Sequence, residues 1–450
     1  MTNTITNRLI PVLILLVCSS ILSGCTGISK GITEAVLESS KQKEDTRICY
    51  IRGRPIAGIK TALYAQESAS QQNKATPRVI KVLMVHGIGS HRPGYSTRMA
   101  ENLARSLDLT LVQEPNNEFK ISYPAFTDHE LGVLRISRYF NADKSREMIF
   151  AELTWDTIIE QEKQNIAFDN SGDYSFRRTP INNALKTFVN DTIPDVMMYN
   201  GKYRKLIQMS VSQALCWLMA PSSLALPNGG VHYCDNSAPD YKAQFDDDYF
   251  FITHSIGSRV TVDSLQLIAE LATTAAKNDP VLEEKLRRVR EKRFTVFMLS
   301  NQLPLLQLGQ PAPVVHGRIE ELCGANATRP EDRLFKETHL VAFSDPNDIL
   351  SYVIPPRFLD EQVDSRICPT LTNVVLNVAE VKNILGGDFA NPLTAHTEYD
   401  NDERIIGIIS RGIGNDQVDP RVARRCTWLE TVAPDRNGLS EGERLPGKSK

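Results

Sequence analysis

The sequence has no Cys-x-x-Cys pair, no internal repeat and no overall excess of Lys and Arg. Without Cys-x-x-Cys there is little support for a zinc site or thioredoxin-like redox chemistry. A formal net charge of −3 over 450 residues argues against a nucleic-acid partner, because phosphate binding needs clustered cations. Beyond the first 25 residues no stretch is long and apolar enough to span a bilayer. The composition is that of an ordinary globular chain, 41% hydrophobic and 23% charged. Its length permits one large domain or two to three modest ones.

The N-terminus stands apart. Met1 to Arg8 carries one cationic side chain, Leu9 to Val17 is almost wholly apolar, and small residues lead to Leu22-Ser23-Gly24-Cys25. A charged start, a short apolar run and small residues before a cut make an export signal, too short for a spanning helix. The last four residues resemble the lipobox of bacterial lipoproteins. That resemblance implies acylation of Cys25 as the mature N-terminus, membrane anchoring and, with Thr26 rather than Asp next, an outer membrane in a Gram-negative cell. An ordinary signal peptide with a chance Cys is the alternative. The predicted layout is a signal over residues 1–24, a tether over 25–46, one catalytic domain over 47–429 and a tail over 430–450 rich in Gly, Pro and charge.

Export leaves Cys49, Cys216, Cys234, Cys323, Cys368 and Cys426 beside the anchor. In an oxidising compartment they allow up to three bridges with about 15 connectivities, among which sequence cannot choose. Strands are predicted at 79–85, 133–139, 148–155, 249–253, 293–299, 339–343 and 371–378, and amphipathic helices over 203–218, 260–271 and 404–411. Strands alternating with helices predict an α/β fold with a mostly parallel sheet covered on both faces. A long insertion is expected between about 95 and 245. Its helix near 203–218 reads either as a lid or as a core helix.

The chemistry concentrates in Tyr249-Phe-Phe-Ile-Thr-His-Ser-Ile-Gly-Ser-Arg-Val260. A bulky β run meets Ser255-Ile256-Gly257 and a helix-period segment follows, the setting of a nucleophile elbow. Gly257 supplies the small residue after the nucleophile, whereas Thr253 stands where Gly is usual. A helix capped by Ser255 is the competing reading. Upstream, the 79–85 strand runs into His86-Gly87-Ile88-Gly89, where glycine lets backbone N–H groups turn toward one point. The N–H groups of Ile88 and Ile256 are the candidate oxyanion donors. His86 and His254 belong to these motifs, His91, His129 and His232 precede Ser255, and His316 and His339 precede the acid segment. His396 is left as the base. Between nucleophile and base, Ser344-Asp345-Pro-Asn-Asp348-Ile-Leu offers two carboxylates, with Asp348 favoured and Asp345 the alternative.

These segments, in the order oxyanion loop, Ser, Asp, His, resemble the α/β-hydrolase superfamily across about residues 79–415. The resemblance implies an esterase- or lipase-like serine hydrolase: Ser255 attacks, His396 carries the proton and Asp348 orients His396. It implies no metal and no organic cofactor. The substrate would be a small-molecule or lipid ester; protein partners are not legible. A non-catalytic surface lipoprotein that uses the fold as a binding module is the alternative, as is a peptidase or thioesterase of the same fold.

Overall fold

Two apolar faces on one strand decide the architecture. In Arg78–Val85 (β2) the side chains of Val79, Leu83 and Val85 join one core cluster, and those of Ile80, Val82 and Met84 join another. A strand apolar on both sides must be covered on both sides. The computed structural model describes residues 48–65, 77–112, 117–126, 130–170, 178–220, 226–234, 247–277, 279–384, 387–415 and 417–430. Cys25, the 1–24 signal, the 25–46 tether and the tail after 430 lie outside the described residues.

Among the described residues a 12-stranded sheet forms the frame. Its other strands are β1 (Cys49–Gly53), β3 (Thr110–Leu111), β4 (Asn117–Ile121), β5 (Gly132–Phe140), β6 (Arg146–Thr154), β7 (Val231–His232), β8 (Asp248–His254), β9 (Arg293–Leu299), β10 (Glu337–Ser344), β11 (Pro369–Leu376) and β12 (Thr427–Glu430). Their spatial order is β12-β1-β11-β10-β9-β8-β2-β6-β5-β4-β7, with β3 beside β5. From β11 to β6 neighbouring strands are parallel. β1 against β11 and β5 against β6 are antiparallel. All seven predicted strands are present, each within three residues of its expected ends.

Helices close both faces. On one face lie α4 (Arg204–Met219) and α5 (Gly257–Ala276), with Ile207, Val211, Val260 and Leu265 buried on Phe251 and Val296. On the other lie α1 (Thr97–Ser106) and α8 (Glu403–Arg411), with Met99, Leu103, Ile405 and Ile409 buried on Phe250 and Ile252. The 203–218 helix is therefore α4, a core helix and not a lid. The expected insertion needs the larger correction. Residues 110–154 supply β3 to β6, and β6 pairs with β2 over eight residues in the centre of the sheet. Between β6 and β7, α2 (Glu160–Ala167), α3 (Pro180–Tyr199) and α4 lie off the sheet. The reason is the apolar Met148-Ile-Phe-Ala-Glu-Leu153 run, which needs a central position to bury both faces.

Beyond Arg78 at its start, Lys81 is the one charge in β2. Its buried Nζ donates to the carbonyl of Ala220 at 2.9 Å and pairs with Asp247 at 2.9 Å. Burial pulls its pKa down, against the pull of Asp247.

After β2 the chain places β6 on one side of it and β8 on the other. From there the chain leads from β2 to α1 on one face and from β8 to α5 on the other, and in open α/β sheets this is where ligands bind.

The six cysteines form Cys49–Cys426, Cys216–Cys234 and Cys323–Cys368. The first joins residues 377 positions apart and pins β1, whose other neighbour is β12. Chain entropy then predicts a ranking. Replacing Cys49 and Cys426 with Ala should cost about 2–3 kcal/mol more than replacing Cys216 and Cys234, which are 18 positions apart. Urea unfolding of the two double variants measures this, and equal losses would refute the ranking.

Candidate active site

β8 ends at His254 and α5 starts at Gly257, which leaves Ser255 and Ile256 to make the turn. Ser255 takes φ +56°, a left-handed conformation uncommon for a residue with a side chain. Three hydrogen bonds hold it there. Its N–H donates to the Leu299 carbonyl at 2.9 Å, and its own carbonyl accepts the N–H of Ser258 at 3.1 Å and the Ser258 hydroxyl at 2.7 Å. The Ser255 hydroxyl takes no part: α5 has no side-chain cap, and Oγ is buried without a hydrogen-bond partner. A capping serine would use that oxygen on the first turn. Backbone strain of this sort costs about 1–3 kcal/mol and collects at functional sites.

The turn has no room for larger residues. A Cβ on Gly257 would stand 2.6 Å from the carbonyl oxygens of Val85 and His86, and one on Gly87 would stand 2.6 Å from Cβ of Ser255. The loop after β2 thus passes directly against the loop after β8. Thr253, in the other position where glycine is usual, is buried and donates its hydroxyl to the Phe297 carbonyl of β9 at 3.4 Å.

His86 orients the second loop. The N–H of Trp155 donates to its Nε2 at 3.1 Å, and the ring is stacked between Trp155 and His91. The Asp156 carboxylate, 3.5 Å from the same nitrogen, is too distant for a good competing hydrogen bond. With Nε2 accepting, the proton sits on Nδ1, which donates to the carbonyl of Gly87 at 2.8 Å. That carbonyl and the N–H of Ile88 belong to one trans peptide and point in opposite directions. Holding the first therefore aims the second. Among the described residues neither Ile88 N–H nor Ile256 N–H has an acceptor. The next residue, Gly89, donates its N–H to Asp195 of α3 at 2.6 Å.

Asp348 and His396, the expected acid and base, meet across two further loops. His396 lies in α7 (Pro392–Thr397), a single turn whose start is capped by the Asn391 side chain. Its Nδ1 is 3.0 and 3.1 Å from the two carboxylate oxygens of Asp348. Asp345 is engaged elsewhere: its carboxylate accepts the N–H groups of Asn347 at 2.7 Å, Val378 at 2.6 Å and Ala379 at 3.1 Å, pinning the end of β11. The structure thus brings Asp348, not Asp345, to His396. Burial opposes ionisation of Asp348, but hydrogen bonds from His396 and Ser300, the charge of His396 and the N–H of Leu350 outweigh it and hold its pKa below the usual value. With Nδ1–H turned to Asp348, Nε2 of His396 is the free basic nitrogen; it is buried and has no partner.

Ser300 was not legible as a site residue. It follows β9 at φ +50°, donates its hydroxyl to Asp348 at 2.6 Å and lies 2.9 Å from His396 Nδ1. Its only sequence signal is position, the first polar residue after an apolar strand on the edge that carries Ser255 and Asp345.

Three further described histidines are buried or engaged elsewhere. His254 donates Nε2–H to the His396 carbonyl at 2.7 Å, and its ring packs edge-on against that of His396. Burial, with the nearby His396, pushes its pKa down to about 4. His339 reaches Thr372 at 2.9 Å within the sheet, and burial pushes it to about 4. His91 is pushed to about 3 by burial and by His86. Among the described residues no three His, Cys, Asp or Glu side chains gather where they could hold a metal ion. No model of a known protein family, no curated protein and no solved structure matches the chain.

These depressed values set a pH dependence. Unfolded histidine titrates near 6.5, so below that pH the unfolded chain binds protons that His254, His339 and His91 refuse until about pH 4, 4 and 3. Stability is therefore full above about pH 6.5 and falls as pH drops toward 4, by up to about 1.4 kcal/mol per pH unit for each histidine. The urea midpoint should fall steadily over this window, and less steeply in His339→Gln. A midpoint constant down to pH 5 would show that these imidazoles can charge where they stand.

Proposed function

We propose that the chain is a serine hydrolase of the α/β-hydrolase type, anchored to a membrane through Cys25, that cleaves carboxylic esters through an acyl-enzyme intermediate. The observation that carries this reading is a pair of buried, unpartnered atoms. Ser255 Oγ is lifted onto a strained turn with nothing to bond, and His396 Nε2 is left basic by the Asp348 contact at Nδ1. Leaving buried polar atoms unpaired costs stability; what supports a catalytic use for these two is the strained turn that carries the one and the carboxylate that orients the other.

Ser255 Oγ attacks the ester carbonyl carbon as its proton passes to His396 Nε2. The carbonyl electron pair moves onto oxygen, where the N–H groups of Ile88 and Ile256 stabilise it; each such donor is worth about 2.7–4 kcal/mol. Collapse of the adduct expels the alcohol, which takes the proton from His396. Water then attacks the acyl carbon, giving a proton to His396. The acid leaves as that proton returns to Ser255. Asp348 holds the imidazole in the required tautomer and favours its cationic form, while Ser300 holds Asp348.

Two tests follow. A fluorophosphonate probe should label the protein but not Ser255→Ala, and His396→Ala should fold yet lose turnover of aryl esters. Absence of labelling in the wild type would end the hydrolase reading. Within the network, Asp348→Asn should lower kcat on the order of 10^3–10^4-fold, whereas Asp345→Asn should mainly lower stability. Ser300→Gly tolerates the positive φ and removes the short side chain with its hydroxyl; kcat should fall about 10–100-fold with KM unchanged. Wild-type kcat in Ser300→Gly would show that the hydroxyl does not support the acid.

A further inference from the structure

The most unusual surface is α3. Every side chain described between Pro180 and Val189 is exposed, so the first half of this helix projects from the body. Leu185, Val189, Ile193 and Met197 follow one another at four-residue spacing and form a single ridge, with Phe188 beside it. These five side chains are between 45% and 68% exposed. The second half of the helix is docked by buried Thr192, Asp195 and Tyr199. Asp195 accepts the N–H of Gly89, and Asp191 accepts the hydroxyl of Ser90 at 2.8 Å. The ridge is thus fastened to the loop that carries the Ile88 N–H.

The same edge of the sheet bears more apolar surface. Leu308, in the loop that follows Ser300, is 75% exposed, and Ile349, beside Asp348, is 74% exposed. Gln310 ties the first of these loops to α4 through Arg204 at 2.9 Å. Exposed apolar side chains gathered around one site mark an interaction surface. This one is a projecting helix with its apolar side chains along one ridge, the form of a helix that lies in a lipid interface.

We propose that the α3 ridge is a membrane-docking surface that seats the catalytic edge on a phospholipid bilayer, so that the esters reaching Ser255 are lipids of that bilayer. The substrate half rests on the hydrolase reading, and the choice of occupant rests on the N-terminal sequence. Cys25 precedes Ile48 by 23 positions, so an acyl group there lies at most about 80 Å along the chain from the body. A bilayer held so close is present at high effective concentration, and a modest apolar ridge then suffices to orient the molecule.

The test uses full-length Cys25→Ser, which lacks the acylated residue, and vesicles of phosphatidylethanolamine and phosphatidylglycerol. The protein should float with the vesicles, and adding Val189→Asp and Met197→Asp should reduce the floated fraction at least fivefold. Both substitutions are at exposed positions outside the catalytic network, so thermal midpoint and hydrolysis of a short soluble ester should be unchanged. Fatty-acid release from the vesicles should fall with the floated fraction. Equal flotation of the two proteins, or none by either, overturns the docking surface. So does a dimer that the two substitutions dissociate, because the ridge would then face a second copy. Ridge-dependent flotation without fluorophosphonate labelling would retain the surface and sink the hydrolase reading instead. Labelling, with ridge-dependent flotation but no fatty-acid release, would overturn the lipid substrate alone.

Discussion

The site depends on how closely two loops pass at the ends of β2 and β8. Neither Gly87 nor Gly257 can carry a side chain there, because each presses on the other strand's loop at 2.6 Å. That contact puts Ser255 under the Gly87–Ile88 peptide and makes one compact point from residues 168 positions apart. It also forces Ser255 into its left-handed conformation, since the chain must leave β8, clear the neighbouring loop and enter α5 within two residues. The strain is offset by the bonds to Leu299 and Ser258, which are made by the backbone and by a neighbouring hydroxyl. The Ser255 hydroxyl oxygen itself is not spent on structure.

Electrostatics around this point follow a simple division. Buried histidines that hold the architecture spend their ring nitrogens on it: His86 aims a peptide, His254 holds the His396 carbonyl and His339 bonds across the sheet. Among the described histidines, His396 alone has a carboxylate at one nitrogen and nothing at the other. The carboxylate stays ionised against burial because it collects donors from Ser300 and Leu350 as well as from the imidazole.

Much of this was legible in the sequence, for a physical reason. Strands buried on both faces read as unbroken apolar runs, so the centre of the sheet, from Val79-to-Val85 to Leu371, showed itself, and the Gly and Ser that terminate those runs marked the edge where chemistry gathers. The outer strands gave no such signal. In Cys49–Gly53 burial alternates, and Asn117–Ile121 carries Glu and Lys on its exposed face. The stretch expected as an insertion was misjudged because β6 is reached only after three strands that run out to the edge and back. The choice of Asp348 over Asp345 rested on a short motif, and only the partners of each carboxylate decide it. Ser300 had no motif at all, because its role comes from a loop nearly fifty residues from its partner. The cysteine pairing likewise needed coordinates.

The longest of those pairings has a mechanical meaning. Cys49 and Cys426 turn everything between them into one covalent ring; β1 lies within it and β12 leaves it, side by side and in the same direction. A pull on the chain ahead of Ile48 meets the bond after one residue, before it reaches a hydrogen bond of β1. Tension then passes to the ring as a whole, and β1 cannot be peeled off strand by strand while the bond is intact. A body hung by its N-terminus can be dragged without being unravelled.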